Sequence, residues 1–223
     1  MNSSLINWLL VLFVSFSWGA SFMFTRLAVE EIAPTYLVVL RLFLASVLLG
    51  PIFIRMKDLA LMKEQIPAIL LLGIINAALP FFLYAYSAQE LSAGMLSILN
   101  GTSPLFALII AIIIFRQNTT FMQILGLGLG FIGLLVFIGI DKLSFIFFPV
   151  LLCLIGAFCY AYSNNILFKL NHIRSSALAS VTMISGFFFS LPLILVEPKG
   201  FSWDISPEII FAIFFLGLVS TGI

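Results

Sequence analysis

One charged side chain stands where chemistry and solvation conflict. Arg41 lies inside LVVLRLFLAS, with apolar neighbours on both sides. Burying a guanidinium in hydrocarbon costs about 2.5–3.5 kcal/mol on insertion scales, so the position calls for a partner or a cavity. Two readings follow: contact with a solute or its carboxylate in a central cavity, or a structural arginine paired with backbone carbonyls or another helix. A second set is uncharged. Trp18, Ser21, Asn76, Tyr84, Asn100, Tyr160 and Asn164 are polar or amphipathic groups within apolar runs. As a set they suit a largely apolar pocket that reads a small solute by hydrogen bonds and stacking. Singly, each also suits an interhelical hydrogen bond worth about 0.6 kcal/mol in a membrane. With Arg41 they form the candidate substrate-binding set. Catalysis has no comparable set: His172 has no second ligand nearby, and no His/Asp/Glu cluster stands at either end of the apolar runs. Neither an enzyme, nor a metal, nor a cofactor is expected.

The elements that position these residues follow from composition. Hydrophobic residues make up 63% of the 223-residue chain and charged residues 9%, with mean hydropathy +1.26. Soluble domains carry roughly 25% charge, so the partner of most of this surface is the lipid bilayer. A net charge of +1 without a basic tract gives no reason to expect nucleic acid. Cys153 and Cys159 share one apolar run and read as packing residues. The first apolar run is too long for a signal core and lacks a basic leader, so it should remain as a span.

A helix needs about 20 apolar residues to cross a bilayer. That rule places spans near 7–28, 34–54, 66–88, 92–115, 121–140, 145–168, 176–196 and 208–223. The runs are continuous rather than alternating, which favours helices over a barrel. Pro80 and Pro104 should bend spans three and four. Gly126, Gly128, Gly130 and Gly133 mark a small-residue face on span five that permits close helix packing. The sequons at Asn2, Asn100 and Asn118 read as chance. With the N-terminus cytoplasmic, inside loops hold Arg55, Lys57, Lys63, Arg116, Lys169 and Arg174, against Arg26, Lys142 and Lys199 outside. The bias predicts that orientation, in the cell inner (plasma) membrane.

The chain also repeats itself. Residues 9–27 slid by 142 positions fall on 151–169, matching Leu9, Leu10, Leu12, Phe16 and Ser21 and setting Trp18 on Tyr160. Pro51 and Pro192 match at 141, and Leu72-Gly73 and Leu216-Gly217 at 144. The expected units are 1–140 (five spans) and 145–223 (a shorter copy). Because five is odd, the second copy should enter from the opposite side. Inverted repeats are typical of secondary transporters with a site near the midplane, and pairs such as Trp18–Tyr160 and Asn76–Ser220 should then face one central axis. No Asp or Glu lies inside a span, so facilitative or exchange-driven transport is expected rather than a proton relay.

WGASFMFTRLAVEEIAPTYLVVLRLFLAS at 18–46 and LNGTSPLFALIIAIII at 99–114 resemble the EamA family of the drug/metabolite transporter superfamily. The shared pieces are the Trp-Gly-small-Ser-Phe opening at 18–22, the acidic loop ending in proline at 30–34, the Leu-Arg-Leu-Phe piece at 40–43 and the Ser-Pro-Leu piece at 103–105. The resemblance implies an all-α polytopic bundle of ten helices in two inverted five-helix halves, moving small metabolites by alternating access. Such a family usually closes its fourth helix with Gly-Glu, whereas here it ends Phe115-Arg116-Gln117. Against ten helices, about eight are present and the last is incomplete. A truncated fragment that inserts but does not transport is therefore the alternative expectation, and a homodimer could cover its open face.

Overall fold

The computed structural model describes residues 3–54, 63–198, 200, 201 and 204–222, and the side chains of these except 3, 4, 53, 54 and 140–144. Arg55, Lys57, Lys199 and the Asn2 sequon lie outside the described residues, and the Lys142 side chain is among the exceptions. All regular structure among the described residues is helical. Helix α1 spans Ser3–Ala28 and α2 spans Pro34–Ile54. The third crossing joins α3 (Ile66–Leu72), a π-helical segment (Gly73–Ala78) and α4 (Leu79–Ser87). The fourth joins α5 (Ala93–Asn100) to α6 (Ser103–Ile113), and α7 (Phe121–Ile138) is the fifth. Then come α8 (Ile140–Lys169), α9 (Ser175–Ser190), the single turn α10 (Leu193–Val196), α11 (Pro207–Phe214) and a second π-helical segment, Phe215–Ser220.

Among the described residues, seven helical stretches are long and apolar enough to cross a membrane, and Pro207–Ser220 is a shorter apolar helix. The protein is a multi-pass membrane bundle. Its spans match the apolar runs, but their interiors are less regular than the runs suggest. Pro80 has no N–H, and its ring would collide with the Asn76 carbonyl in an α-helix. The ladder widens just before it, and the Leu79 N–H bonds Ile74 O, five residues back. Gly101 and Thr102 break span four, where the Thr102 and Ser103 hydroxyls turn back onto Leu99 O (2.6 Å) and Asn100 O (2.7 Å). Pro149 similarly displaces the Phe145 carbonyl, and the backbone leaves helical geometry at Ile146. Gly139, at φ +80°, separates α7 from α8.

Membrane logic decides which face turns inward. The exposed face of α1 carries Leu9, Leu12, Phe16 and Trp18, whereas Ser17, Ser21, Thr25 and Ala28 form its buried stripe. Small and hydroxyl-bearing residues let helices approach closely where lipid already satisfies the apolar ones. Helix α9 does the same with Ala177, Ser180, Thr182, Ser185 and Gly186, and its most extensive packing is on α2. There Ser180 donates to Leu49 O at 2.9 Å. A second apolar cluster, around Ile69, Leu72, Leu170, Ile173 and Leu178, closes the end of the bundle near the 170–174 turn.

The opposite end gathers acids. Glu31, after α1, accepts from both the N–H and the hydroxyl of Ser206, each at 2.8 Å. Ser87, at the end of α4, donates to Pro149 O near the start of α8 (2.9 Å). Ala33, after α1, and Gln89, after α4, line one cavity, so α1 ends at the end of the bundle where α8 begins, and the two run in opposite senses. Thr120 caps α7 through a reciprocal pair with Gln123, giving one residue of the Asn118 sequon a structural role. Of the four span-five glycines, only Gly130 has a close neighbour, Leu105; a Cβ at Gly126, Gly128 or Gly133 would meet open space. The packing expected of that face is confined to Gly130 within the described residues.

Candidate functional site: a guanidinium among aromatics and hydroxyls

Arg41 reaches from α2 into the bundle. Its Nε donates to Thr221 Oγ1 at 2.6 Å and an Nη to Ser220 Oγ at 3.3 Å. The guanidinium carbon lies 3.9 Å from the centre of the Phe81 ring, a cation–π contact that offsets part of the lost hydration. Its hydrogen-bond partners are thus neutral hydroxyls at the end of the second π segment. Phe81 opens the way to the aromatic part. One turn further along α4, Tyr84 stacks on Tyr160 of α8, with centroids 6.2 Å apart and planes 13° from parallel. Tyr84 also meets Phe22 of α1 edge to face at 5.7 Å. Its hydroxyl donates to Cys153 O at 3.1 Å, which pins the ring. Gly156 makes the room: a Cβ there would stand 2.8 Å from Tyr84 Cε2.

Asn76 sits within the first π segment, and its Oδ1 accepts from Ser163 Oγ at 2.8 Å; Ser163 is also 2.9 Å from Tyr160 O. The cluster is therefore built by α2, the third crossing, α8 and the second π segment. Among the described residues, no group of three or more His, Cys, Asp or Glu is placed to hold a metal ion.

The sequence-derived set divides. Arg41, Tyr84, Tyr160 and Asn76 come together, and Ser21 lies on the buried stripe of α1. Asn100 is half-buried at the break in span four, its Oδ1 enclosed and without a partner. Trp18 is 62% exposed, and Asn164 is exposed on α8; both stand apart from the cluster. The pair Asn76–Ser220 reaches the cluster at both ends, whereas in Trp18–Tyr160 only the tyrosine does. Sequence reading missed Phe22, Phe81, Ser163, Gly156 and Thr221. Ser163 carried a signal, since it is the residue on which Ser21 falls at the 142 offset.

The two π segments are held alike. The first packs on α9, where a Cβ on Gly73 would collide with Ser185 Oγ and come within 2.9 Å of Gly186 N. The second packs on α2, where a Cβ on Gly217 would stand 2.6 Å from Leu44 Cβ and 3.2 Å from Arg41 O. Gly73 and Gly217 are 144 positions apart, and Leu44 and Ser185 are 141 apart. Residues matched by the sequence offsets thus meet matched neighbours. Nearer the acidic end, a cavity of about 320 Å³ lies among Thr35, Phe82, Tyr86, Gln89 and Glu197. Within the Arg41 cluster Tyr84 and Ser163 are buried, whereas Arg41, Asn76, Phe81, Tyr160, Ser220 and Thr221 keep partial exposure.

The model of the EamA-like transporter family matches residues 5–139. The chain belongs to that family. Among EamA-like relatives, the uncharacterized transporter YoaV of Bacillus subtilis is 24% identical over 219 residues, covering 95% of this chain and 74% of the relative. An uncharacterized transporter of Buchnera aphidicola is 28% identical over 217 residues, covering 94% and 71%. An S-adenosylmethionine/S-adenosylhomocysteine transporter of Chlamydia trachomatis is 30% identical over 130 residues, covering 58% of this chain and 40% of its own.

Proposed function

We propose that this protein carries small organic solutes, amino-acid-like molecules among them, across the cell inner (plasma) membrane by alternating access, and that it is not an enzyme. The observation that carries the reading is the junction of Arg41, Phe81, Tyr84, Tyr160 and Asn76 with two π segments, each wedged on glycine against a helix of the other unit. Units 1–140 and 145–223 serve as inverted repeats that rock about the α2–α9 contact. Support comes from the matched neighbours of Gly73 and Gly217, from the opposite senses of α1 and α8, and from relatives named as transporters. π turns inside α-helices are frequent at functional sites, and irregular backbone at membrane depth is tolerated where protein or a cavity covers it. The N-terminus is cytoplasmic, which places the acidic end outside.

Reconstitution tests this. Proteoliposomes loaded with a mixture of amino acids, nucleosides and organic acids should release at least one solute faster than protein-free vesicles, read by mass spectrometry. Gly186→Leu should abolish that release, because a Cβ at Gly186 already stands 3.0 Å from Gly73 O. Equal release from protein-containing and empty vesicles would overturn the proposal.

A further inference from the structure

We infer that the solute bears a carboxylate on an aromatic or otherwise flat apolar body, and that Arg41 is its counter-ion; this rests on reading the cluster as the solute site. A guanidinium has five N–H donors and no acceptor. Two of Arg41's donors are engaged, by the hydroxyls of Thr221 and Ser220, and three have no acceptor among the described residues. Arg41 is half-buried, and a charged donor that loses water without gaining an acceptor is costly.

Among the described residues no carboxylate is bonded to Arg41. Every described Asp and Glu stands in a turn, at a helix end or in a first helical turn: Glu30, Glu31, Glu64, Glu90, Asp141, Glu197, Asp204 and Glu208. Arg41 lies seven residues inside α2, about 10 Å along the axis at 1.5 Å per residue. The basic neighbours are equally remote, Arg26 being paired with Glu30 at 2.9 Å at the acidic end. A carboxylate takes two parallel N–H bonds from one guanidinium, which matches the donors left over. Thr221 and Ser220 hold the group in place without neutralising it, so the charge is aimed but unspent.

The surroundings select the rest of the molecule. Phe81 presents its ring face to the guanidinium, Tyr84 one turn along α4 meets Tyr160 and Phe22, and the Asn76 carbonyl oxygen is taken by the Ser163 hydroxyl. A cation would meet Arg41 at close range with no acid to offset the repulsion. A neutral solute would leave the three donors unmade.

The test is calorimetric titration of the full chain in lipid nanodiscs with 3-phenylpropionate, its neutral amide 3-phenylpropanamide, and phenethylammonium. The expected result is binding of the carboxylate alone. Arg41→Gln should weaken it about tenfold or more, the scale of one lost charge-assisted pair. Arg41→Lys, which keeps the charge and loses the fork, should retain weaker binding and guards against misfolding of the glutamine variant. Preference for the amide or the ammonium, unchanged carboxylate affinity in both variants, or no binding by any probe at millimolar concentration would each overturn the inference. Proteoliposome flux of 3-phenylpropionate separates the two proposals: binding without flux sinks transport and leaves the anion site standing. Flux of other solutes with no carboxylate preference does the reverse.

Discussion

Ser163 has one hydroxyl proton and two acceptors in reach, Asn76 Oδ1 at 2.8 Å and Tyr160 O at 2.9 Å. Only the first links two crossings. Ser163→Ala should therefore cost about 0.6 kcal/mol on reversible unfolding in mixed micelles, the usual size of such a bond in a bilayer protein. Arg116 offers a change of opposite sign. It lies three residues after α6 at φ +49°, a left-handed conformation that costs a residue with a Cβ roughly 1–2 kcal/mol and glycine almost nothing. Arg116→Gly should stabilise the fold by about 1 kcal/mol in the same assay. Arg41 was legible in the sequence, since a charge inside an apolar run needs an explanation whatever the fold. The stack of Tyr84 on Tyr160 was not, because it depends on how α4 and α8 meet. Trp18 misled because an amphipathic ring suits a lipid-facing surface as well as a cavity.

Among the elements, glycine contacts give the sharpest forecast. A Cβ on Gly156 meets Tyr84 Cε2 at 2.8 Å, whereas one on Gly126 meets nothing within 4 Å. Gly156→Val should displace the Tyr84 ring and abolish solute flux, while Gly126→Val should leave flux near that of the unmodified protein. Vesicles carrying each variant at matched density check this. Loss of flux in both would mean that bulk on any span, rather than the place of Tyr84, is what counts. Glu31 makes a second forecast. By holding the N–H and hydroxyl of Ser206 it ties the α1–α2 turn to the start of α11. Glu31→Ala should raise hydrogen exchange at 205–208 without altering exchange in α9. Neither tie is visible in the sequence, where Glu31 reads as one more acid in an acidic loop.

Across the whole molecule, charge divides by end: Glu31, Glu90 and Glu197 at one, Lys63, Lys169 and Arg174 at the other. If the second end is cytoplasmic, Glu90→Cys should react with an impermeant maleimide on intact cells and Asn171→Cys only after lysis. The native Cys153 and Cys159 are buried and give little background. The reverse labelling pattern would invert the topology. The number and place of the crossings were legible because a bilayer demands long apolar runs and allows few other solutions. The interruptions inside them were not, because a π turn changes which carbonyl each N–H finds without changing average hydropathy.

That change of partners shifts the register of the span. An α-helix advances about 100° and 1.5 Å per residue, so one surplus residue at 73–78 swivels all of α4 relative to α3. Phe81 and Tyr84 face Arg41 and Tyr160 only with that surplus in place. Deleting Ile75 should let the span heal into a plain α-helix that still crosses the membrane, with its aromatic face pointing elsewhere. Here a deletion is more informative than any substitution: it would leave a folded protein that has lost its aim.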